Sequence, residues 1–488
     1  MNWGRTSGIL LHITSLPGKY GIGELGPEAY AFADWLAAAG QRLWQVLPLG
    51  PVGYGESPYQ LYSAFAGNPM LLSIDTLIAH GWLAASDLGR VPRFASNRVE
   101  FERVVPWKTQ LLRRAFEAFR TQASETDRKE FQNFREQNCA WLGDFARFMA
   151  LKEAQNNVAW TEWDPAITPA EADIEYHQFL QFEFFRQWDA LKAHAAKLGI
   201  HLMGDLPIYI AHDSADVWAH PELFRSDAVA GVPPDYFSVT GQLWGNPLYR
   251  WDRIAAGGYG WWIERMRAAL RQFDAIRMDH FRGFEAYWEV PADETTAVKG
   301  RWVPGPGAEL FRTLTAELGP LPIVAENLGV ITPEVEALRH EFGFPGMAVL
   351  QFAFGTDPQS PTFKPHNYIP NLVAYTGTHD NDTAEGWWHS EGGDSTRTTE
   401  NIEAEKAHAR AYLGAGPRQV HWELIRALMV SVAETVLVPL QDVLGLGSEA
   451  RMNTPSTASG NWRWRCRPGA LTEDLAKRLR ELVTLYGR

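Results

Sequence analysis

The sequence predicts an α/β protein whose centre is a (β/α)8 TIM barrel with inserted subdomains and no separate C-terminal β-domain. Eight short apolar runs rich in β-forming residues recur along the 488 residues, and most are followed by a helical pattern. Alternating strands and helices imply parallel pairing through crossovers, and eight such units close a barrel. After the eighth run about 50 residues remain, too few for a further β-domain. A doubly wound open sheet is the structural alternative.

The predicted elements follow one another in the order that a barrel requires. The first helix, 27–40, begins with Pro27, carries Phe32 and Leu36 on one face, and ends at Gly40, which is a common helix stop. The last helix is predicted over 471–486. The eight predicted strands are 8–13, 42–48, 201–210, 274–281, 323–328, 347–354, 372–376 and 435–440.

The uneven spacing of these strands predicts two insertions within a single catalytic barrel that spans 1–488. Region 50–200, after the second strand, is far longer than one crossover and largely helical in pattern, so we interpret it as an inserted subdomain. Region 211–259, after the third strand, is rich in Pro, Gly and aromatic residues and has little periodicity. Long loops of this kind are commonly lids or binding walls, so it is predicted to be a substrate loop region.

Composition excludes several classes of partner. Apolar residues make up 45% and charged residues 21%, and the net charge of −13 disfavours nucleic acid and anionic membrane surfaces. The 21 Trp, 15 Tyr and 25 Phe suit flat ligands rich in hydroxyl groups, although most must be core. The sequence has two distant cysteines, no visible signal peptide and no apolar run of about 18 residues. Together these features predict a cytoplasmic location. Protein partners are not predicted.

The motifs typical of cofactor and metal enzymes are weak or missing. The run Gly-Ile-Gly-Glu-Leu-Gly at 21–26 matches a dinucleotide fingerprint, but the turn before it is long and the second strand ends without an acid to hold a ribose. Adjacent His and Asp pairs at 212–213, 279–280 and 379–380 could bind a metal, yet neighbours on a strand point to opposite faces. We therefore expect no cofactor and no catalytic metal.

Three carboxylates at predicted strand ends form the more productive pattern. Asp279, Glu326 and Asp380 each close a strand, and the carboxyl ends of barrel strands meet at one mouth, where catalysis takes place. Arg277 lies two residues before Asp279 on the same strand face and can pair with it, holding it ionised. The alternative is that Arg277 and Asp279 form only a structural ion pair and that Glu326 is a solvated strand end. This alternative is plausible for a single acid but far less so for all three together.

Paired carboxylates across a reacting centre are the equipment of glycoside chemistry. One attacks the anomeric carbon, and the other protonates the leaving oxygen and then deprotonates the incoming hydroxyl. Because Arg277 favours a charged neighbour, Asp279 is the predicted nucleophile and Glu326 the predicted acid/base. Asp380 is expected to bind hydroxyls of the distorted sugar.

Several long motifs resemble those of the 4-α-glucanotransferase family (amylomaltase, or disproportionating enzyme), which is related to the α-amylases. The resemblance extends from Gly8 to about Trp464. It implies a (β/α)8 barrel, retaining chemistry without a metal, and α-1,4-glucans or maltooligosaccharides as both donor and acceptor. The motifs are WQVLPLGP at 44–51, GYGESPYQ at 53–60, GDLPIY at 204–209, VPPDYFS at 232–238, DHFRGF at 279–284 and GTHDNDT at 377–383.

The resemblance also implies roles for individual positions. It implies that Asp279 is the nucleophile, Glu326 the acid/base and Asp380 the third acid, supported by Arg277 and His379. The implied sugar contacts are Tyr59, Ser57 and Gln60 on the donor side, Asp235 and Trp244 on the lid and acceptor side, Asn453 at a further contact, and Tyr54 at a possible second glucan site.

Transfer and hydrolysis share the same intermediate, and the sequence leaves alternatives open. Loop 231–244 carries apolar rings, among them Trp244, that would exclude water and hold an acceptor sugar. The alternative is that these aromatic residues only pack the loop against the barrel, and for Phe237 the two interpretations have equal weight. An α-amylase-type hydrolase is the first alternative function, and a glucan-binding protein without catalysis is the second.

Overall fold

The computed structural model describes residues 4–234, 238–391, 398–414, 419–457 and 459–488, with the side chain of Tyr54 left out. The strands, numbered in chain order, are β1 (Thr6–Leu10), β2 (Leu43–Gln45), β3 (His201–Leu206), β4 (Phe224–Val232), β5 (Gln242–Tyr249), β6 (Ala275–Met278), β7 (Ala286–Pro291), β8 (Arg301–Pro304), β9 (Ile323–Ala325), β10 (Gly346–Val349), β11 (Leu372–Tyr375) and β12 (Thr435–Pro439).

Eight of these strands form one parallel sheet in the order β10-β11-β12-β1-β2-β3-β6-β9. The two outermost strands meet, because the Ala325 N–H donates to the Pro345 carbonyl over 2.9 Å. The sheet therefore closes on itself, and the predicted barrel is confirmed over the open sheet. Each predicted run overlaps one barrel strand.

The predicted strands are too long at their carboxyl ends. The third, for example, ends at Leu206 and not at Ile210, yet Ile208 and Ile210 are fully buried. Residues that follow the strands turn inward at the mouth of the barrel and remain apolar. Hydrophobicity alone therefore could not locate the strand ends.

Side chains from seven strands fill the barrel interior, whereas β1 contributes Gly8, which has no side chain. Gly8 in β1 lies so close to β2 that a Cβ there would be 2.4 Å from the Cβ of Leu43. Glycine is thus required by the close approach of two strands. The interior residues are Leu43, Met203, Ala275, Val324, Met347, Val349, Val373, Tyr375 and Leu437.

Helices cover the outside of the barrel and fill the region between β2 and β3. The first helix begins at Pro27, as predicted, and the turn after it contains Gly40 in the left-handed conformation, φ 71°. The α-helices are α1 (Pro27–Ala38), α2 (Ile74–Ala79), α3 (Phe101–Gln122), α4 (Glu125–Gln137), α5 (Leu142–Ala154), α6 (Glu171–Lys197), α7 (Ala215–Ala219), α8 (Trp251–Ala256), α9 (Gly260–Gln272), α10 (Gly307–Leu318), α11 (Pro333–Glu341), α12 (Ala384–His389), α13 (Thr399–Leu413), α14 (Val420–Val430), α15 (Leu440–Val443) and α16 (Glu473–Tyr486).

A second, antiparallel sheet has the order β5-β4-β7-β8. The sequence predicted an irregular loop over 211–259, but β4 and β5 lie in that region. Irregular pairing between β4 and β5, with register shifts after Arg225 and Val229, breaks the alternation that would reveal a strand. The division of the chain into a barrel and two insertions stays a prediction. Among the described residues, no helix combines the length and apolar character needed to cross a membrane.

Candidate active site

The three predicted acids lie at the carboxyl end of the barrel. Asp279 directly follows β6 and Glu326 directly follows the neighbouring β9. The pairing continues past both strands, since the Asp279 N–H donates to the Leu206 carbonyl and the Glu326 N–H to the Met278 carbonyl, each over 3.0 Å. Asp380 follows β11, and its charge and that of Asp279 both act on the imidazole of His379. The structure thus brings the three acids together.

Arg277 lies between two carboxylates. Its Nη1 is 2.9 Å from Oδ1 of Asp279, the pair predicted from their spacing. The same nitrogen donates to both oxygens of Asp205, over 2.9 and 2.8 Å. Asp205 in β3 and Arg277 in β6 are register partners, so their side chains share a face of the sheet. Arg277 and Asp205 are buried, whereas the Asp279 side chain is 25% exposed and open to a ligand.

Glu326 is held differently. Its carboxyl group is buried and accepts two backbone hydrogen bonds, from the N–H of His280 over 2.8 Å and from the N–H of Leu328 over 2.9 Å. The pKa of Glu326 is raised to about 7, mainly by burial and also by the charge of Asp279, whereas Arg277 and the two backbone donors lower it. A carboxyl group with this pKa can give and take a proton near neutral pH.

His280 connects Glu326 to the wall of the site through an unusual backbone. Its φ of 48° is left-handed, a conformation that strains a residue other than glycine, and its N–H donates to Glu326. Its ring meets the ring of Trp244 edge to face, with centroids 4.8 Å apart. Burial lowers the pKa of His280 to about 3, so the ring is neutral. Trp244, in β5 of the second sheet, therefore lies beside the residue that follows Asp279.

A second group of aromatic rings lies beside Asp205 and Asp380. The Tyr59 ring stacks on His379 at 5.2 Å and 17°, and the Trp462 ring lies 5.9 Å from each of them. The Tyr59 hydroxyl donates to Oδ2 of Asp205 over 2.9 Å. Burial raises the pKa of Tyr59, so its hydroxyl remains a donor. Asp205 is thus hydrogen-bonded on one side to Tyr59 and on the other to Arg277.

Asp380 is oriented by two predicted site residues. Asn453 Nδ2 donates to Oδ1 of Asp380 over 2.6 Å, and the Asn453 N–H donates to the His379 carbonyl over 3.1 Å. Nε2 of His379 is 3.4 Å from Oδ2 of Asp380. Burial lowers the pKa of His379, although Asp380 opposes this. Asn453 therefore fixes the direction of the third acid.

The remaining predicted residues have simpler surroundings. Ser57 Oγ accepts from the Tyr59 N–H over 3.2 Å. Gln60 Nε2 donates to Asn246 Oδ1 over 3.4 Å, and Trp244 Nε1 to Gln242 Oε1 over 3.1 Å. Asp235 and the side chain of Tyr54, both predicted as site residues, lie outside what the structure describes.

Three residues that contact the predicted site residues are missing from the predicted set: Asp205, His280 and Trp462. Asp205 lies near the end of β3 but in the middle of the predicted strand 201–210, so the rule that selected acids at predicted strand ends could not find it. The His280 role depends on a left-handed backbone, and Trp462 reaches the site from a segment without periodicity. Among the described residues, no three His, Cys, Asp or Glu side chains are grouped closely enough to hold a metal ion.

Known proteins resemble this chain over nearly its whole length. The sequence model of glycoside hydrolase family 77, described as 4-alpha-glucanotransferase, matches residues 11–472. The 4-alpha-glucanotransferase of Synechocystis sp. is 51% identical, with 99% of this chain and 98% of the relative covered. That of Thermus thermophilus is 50% identical, with 98% of each covered. The structure of amylomaltase from Streptococcus agalactiae in complex with acarbose superposes with a TM-score of 0.92 at 40% identity, with 99% of each chain covered. The resemblance predicted from the motifs is confirmed, and the chain belongs to the 4-alpha-glucanotransferase family, glycoside hydrolase family 77.

Proposed function

We propose that this chain transfers α-1,4-glucan segments from a donor maltooligosaccharide or glucan to the 4-hydroxyl of an acceptor glucan or glucose. In the first step an oxygen of Asp279 attacks C1 of the donor sugar, while Glu326 gives its proton to the departing glycosidic oxygen. In the second step the Glu326 carboxylate removes the proton from the acceptor hydroxyl, which attacks C1 and displaces Asp279. Two inversions at C1 leave the product with the configuration of the donor.

The contrast between the two carboxyl groups supports these roles best. Asp279 is partly open to a ligand and faces the permanent charge of Arg277 at 2.9 Å, which suits a nucleophile that must react as an anion. Glu326 is buried, and its raised pKa of about 7 suits a group that alternates between acid and base. Two carboxyl groups in such different environments are the pattern expected for double displacement.

Asp380 is assigned to the sugar and not to proton transfer. Asn453 and His379 hold its carboxylate in one direction, so it can accept hydrogen bonds from hydroxyls of the sugar whose C1 reacts. Such bonds strengthen as the sugar acquires oxocarbenium character. Tyr59, stacked on His379, offers that sugar a flat apolar surface.

The choice between transfer and hydrolysis depends on what reaches the intermediate. Trp244 and His280 form an apolar wall beside Asp279, and the second sheet that carries Trp244 includes strands of the 211–259 insertion. Such a wall excludes water and can stack an acceptor sugar. Membership of the transferase family favours transfer over the α-amylase-type alternative.

Incubation with maltotriose tests the proposal. Transfer produces a ladder of longer maltooligosaccharides and glucose while the total number of reducing ends stays constant, because each bond broken is replaced by another. The Asp279→Asn variant, purified in the same way, is the control for contaminating activity and should produce no ladder. Shorter products alone, with a rising number of reducing ends, would instead establish a hydrolase.

A further inference from the structure

A row of apolar side chains crosses the second sheet next to the active site. Leu243, Gly231, Trp288 and Trp302 are register partners on β5, β4, β7 and β8, so their side chains share one face. Leu243 and Trp302, at the two edges of the sheet, are 37% and 38% exposed. The rings of Trp288 and Trp302 meet at 69° with centroids 5.2 Å apart. Gly231, in the middle of the row, is buried beside Val290 and Ala297, so the exposed part of the row is its two edges, and the larger exposed side chain is Trp302.

Trp302 rests directly on the catalytic loop. The guanidinium carbon of Arg282, three residues after Asp279, lies 3.8 Å from the centre of the Trp302 ring system. Arg282 in turn donates to the carbonyl of Val330, in the loop that follows Glu326. The exposed ring is therefore fixed beside the mouth of the barrel, close to the loops that carry both reacting carboxyl groups.

The contacts of Trp302 leave a defined part of it free. Arg282 covers one face of the indole and Trp288 meets it at an angle, so the exposed part is the other face and its rim. Arg301 pairs with the buried Glu289, whereas the Arg282 guanidinium lies on the covered face of the ring. The free face of the indole is flat and apolar, which suits an uncharged ligand with an apolar ring face.

We propose that Trp302 is a distal glucan-binding subsite, where its free indole face stacks on a glucosyl ring of a long α-1,4-glucan whose reacting end lies at Asp279. This inference rests on the proposed function and extends it to the length of the substrate. The contact of Trp302 with Arg282, three residues after Asp279, places the ring next to the active site and favours a glucan chain bound there as the occupant. Maltotriose is too short to use this contact, whereas amylose can.

Comparison of a long and a short substrate tests the subsite. For Trp302→Ala, the ratio of kcat/KM for amylose to kcat/KM for maltotriose should fall about three- to tenfold, as expected for loss of one aromatic stacking contact. Trp302→Tyr retains a flat ring and should keep most of the ratio, whereas the apolar but non-planar Trp302→Leu should not. Leu485→Ala, which truncates an equally apolar side chain that is 69% exposed on α16, should leave the ratio unchanged.

A binding measurement separates this inference from the proposed function. In a native gel containing amylose, Asp279→Asn should be retarded, and the added Trp302→Ala change should reduce the retardation. An unchanged kcat/KM ratio in Trp302→Ala would overturn the subsite, and so would equal ratios in Trp302→Leu and Trp302→Tyr. A change in sedimentation mass without a change in the ratio would also overturn it, because it would indicate that Trp302 contacts another protein chain. In all three cases wild-type transfer from maltotriose would persist, whereas its absence would refute the proposed function itself.

Discussion

Arg277 and Asp205 lie opposite each other on neighbouring barrel strands, and one guanidinium nitrogen contacts both oxygens of the buried carboxylate. The same nitrogen contacts Asp279. Asp205 also accepts the hydroxyl hydrogen of Tyr59. Asp205 therefore connects Arg277 to Tyr59, and these contacts identify it as a residue that positions both side chains.

Asp205→Asn tests that positioning role. The amide keeps the volume but places an N–H group against the donors of Arg277, so Arg277 keeps the charge of Asp279 and loses that of Asp205. The free energy of unfolding should fall by about 1–3 kcal/mol, and kcat should fall more than KM changes because the orientation of Arg277 beside Asp279 is disturbed. Thermal unfolding and maltotriose kinetics measure the two effects.

Glu183→Gln is the matched control for Asp205→Asn. Glu183 is a buried carboxylate in α6 that pairs with Arg186 and accepts from Trp82 Nε1 over 3.0 Å, away from the active site. Its replacement should lower stability while kcat remains near the wild-type value. Equal losses of kcat in the two variants would assign the effect of Asp205 to stability alone.

The pH dependence of kcat/KM should report Glu326. The group must be protonated to act on the leaving oxygen, and its pKa is raised to about 7. The rate should therefore fall as pH rises through about 7, approaching tenfold per pH unit. In Glu326→Gln this basic limb should disappear, together with about 10²–10⁴-fold of the rate. A basic limb that survives in Glu326→Gln would show that another group supplies the proton.

Trp244 should control the fate of the intermediate. Trp244→Ala removes the ring that meets His280 at 4.8 Å and opens the site to water. We expect the ratio of hydrolysis, measured as new reducing ends, to transfer, measured as longer products, to rise severalfold. Trp244→Phe keeps an apolar ring and should stay near the wild-type ratio. If the two variants gave the same ratio as wild type, Trp244 would have no part in excluding water.

The barrel could be predicted because its strands are buried on both faces. Such strands read as nearly continuous apolar runs, and each of the eight runs overlaps a barrel strand. The strands β4, β5, β7 and β8 gave no comparable signal, because they are antiparallel and partly exposed and because the β4–β5 pairing has register shifts. Their positions depend on contacts with the barrel that the local sequence does not encode.

The same distinction applies to the site. The Arg277–Asp279 pair is local, two residues apart on one strand, and the strand pattern predicted it. The Arg277–Asp205 pair joins residues 72 positions apart, and it follows only from the register of β3 against β6. The hydrogen bond from the His280 N–H to Glu326 joins residues 46 positions apart and likewise depends on tertiary structure.

The identity of the nucleophile can be tested most directly by trapping the glycosyl-enzyme. An α-maltosyl fluoride donor needs no proton for its leaving group, so Glu326→Gln should form the intermediate but lack the base that activates an acceptor. Intact mass spectrometry should show one maltosyl group added per chain, and peptide mapping should locate it on Asp279. Attachment to Asp380, or release of fluoride with inverted product and no attached sugar, would contradict double displacement through Asp279.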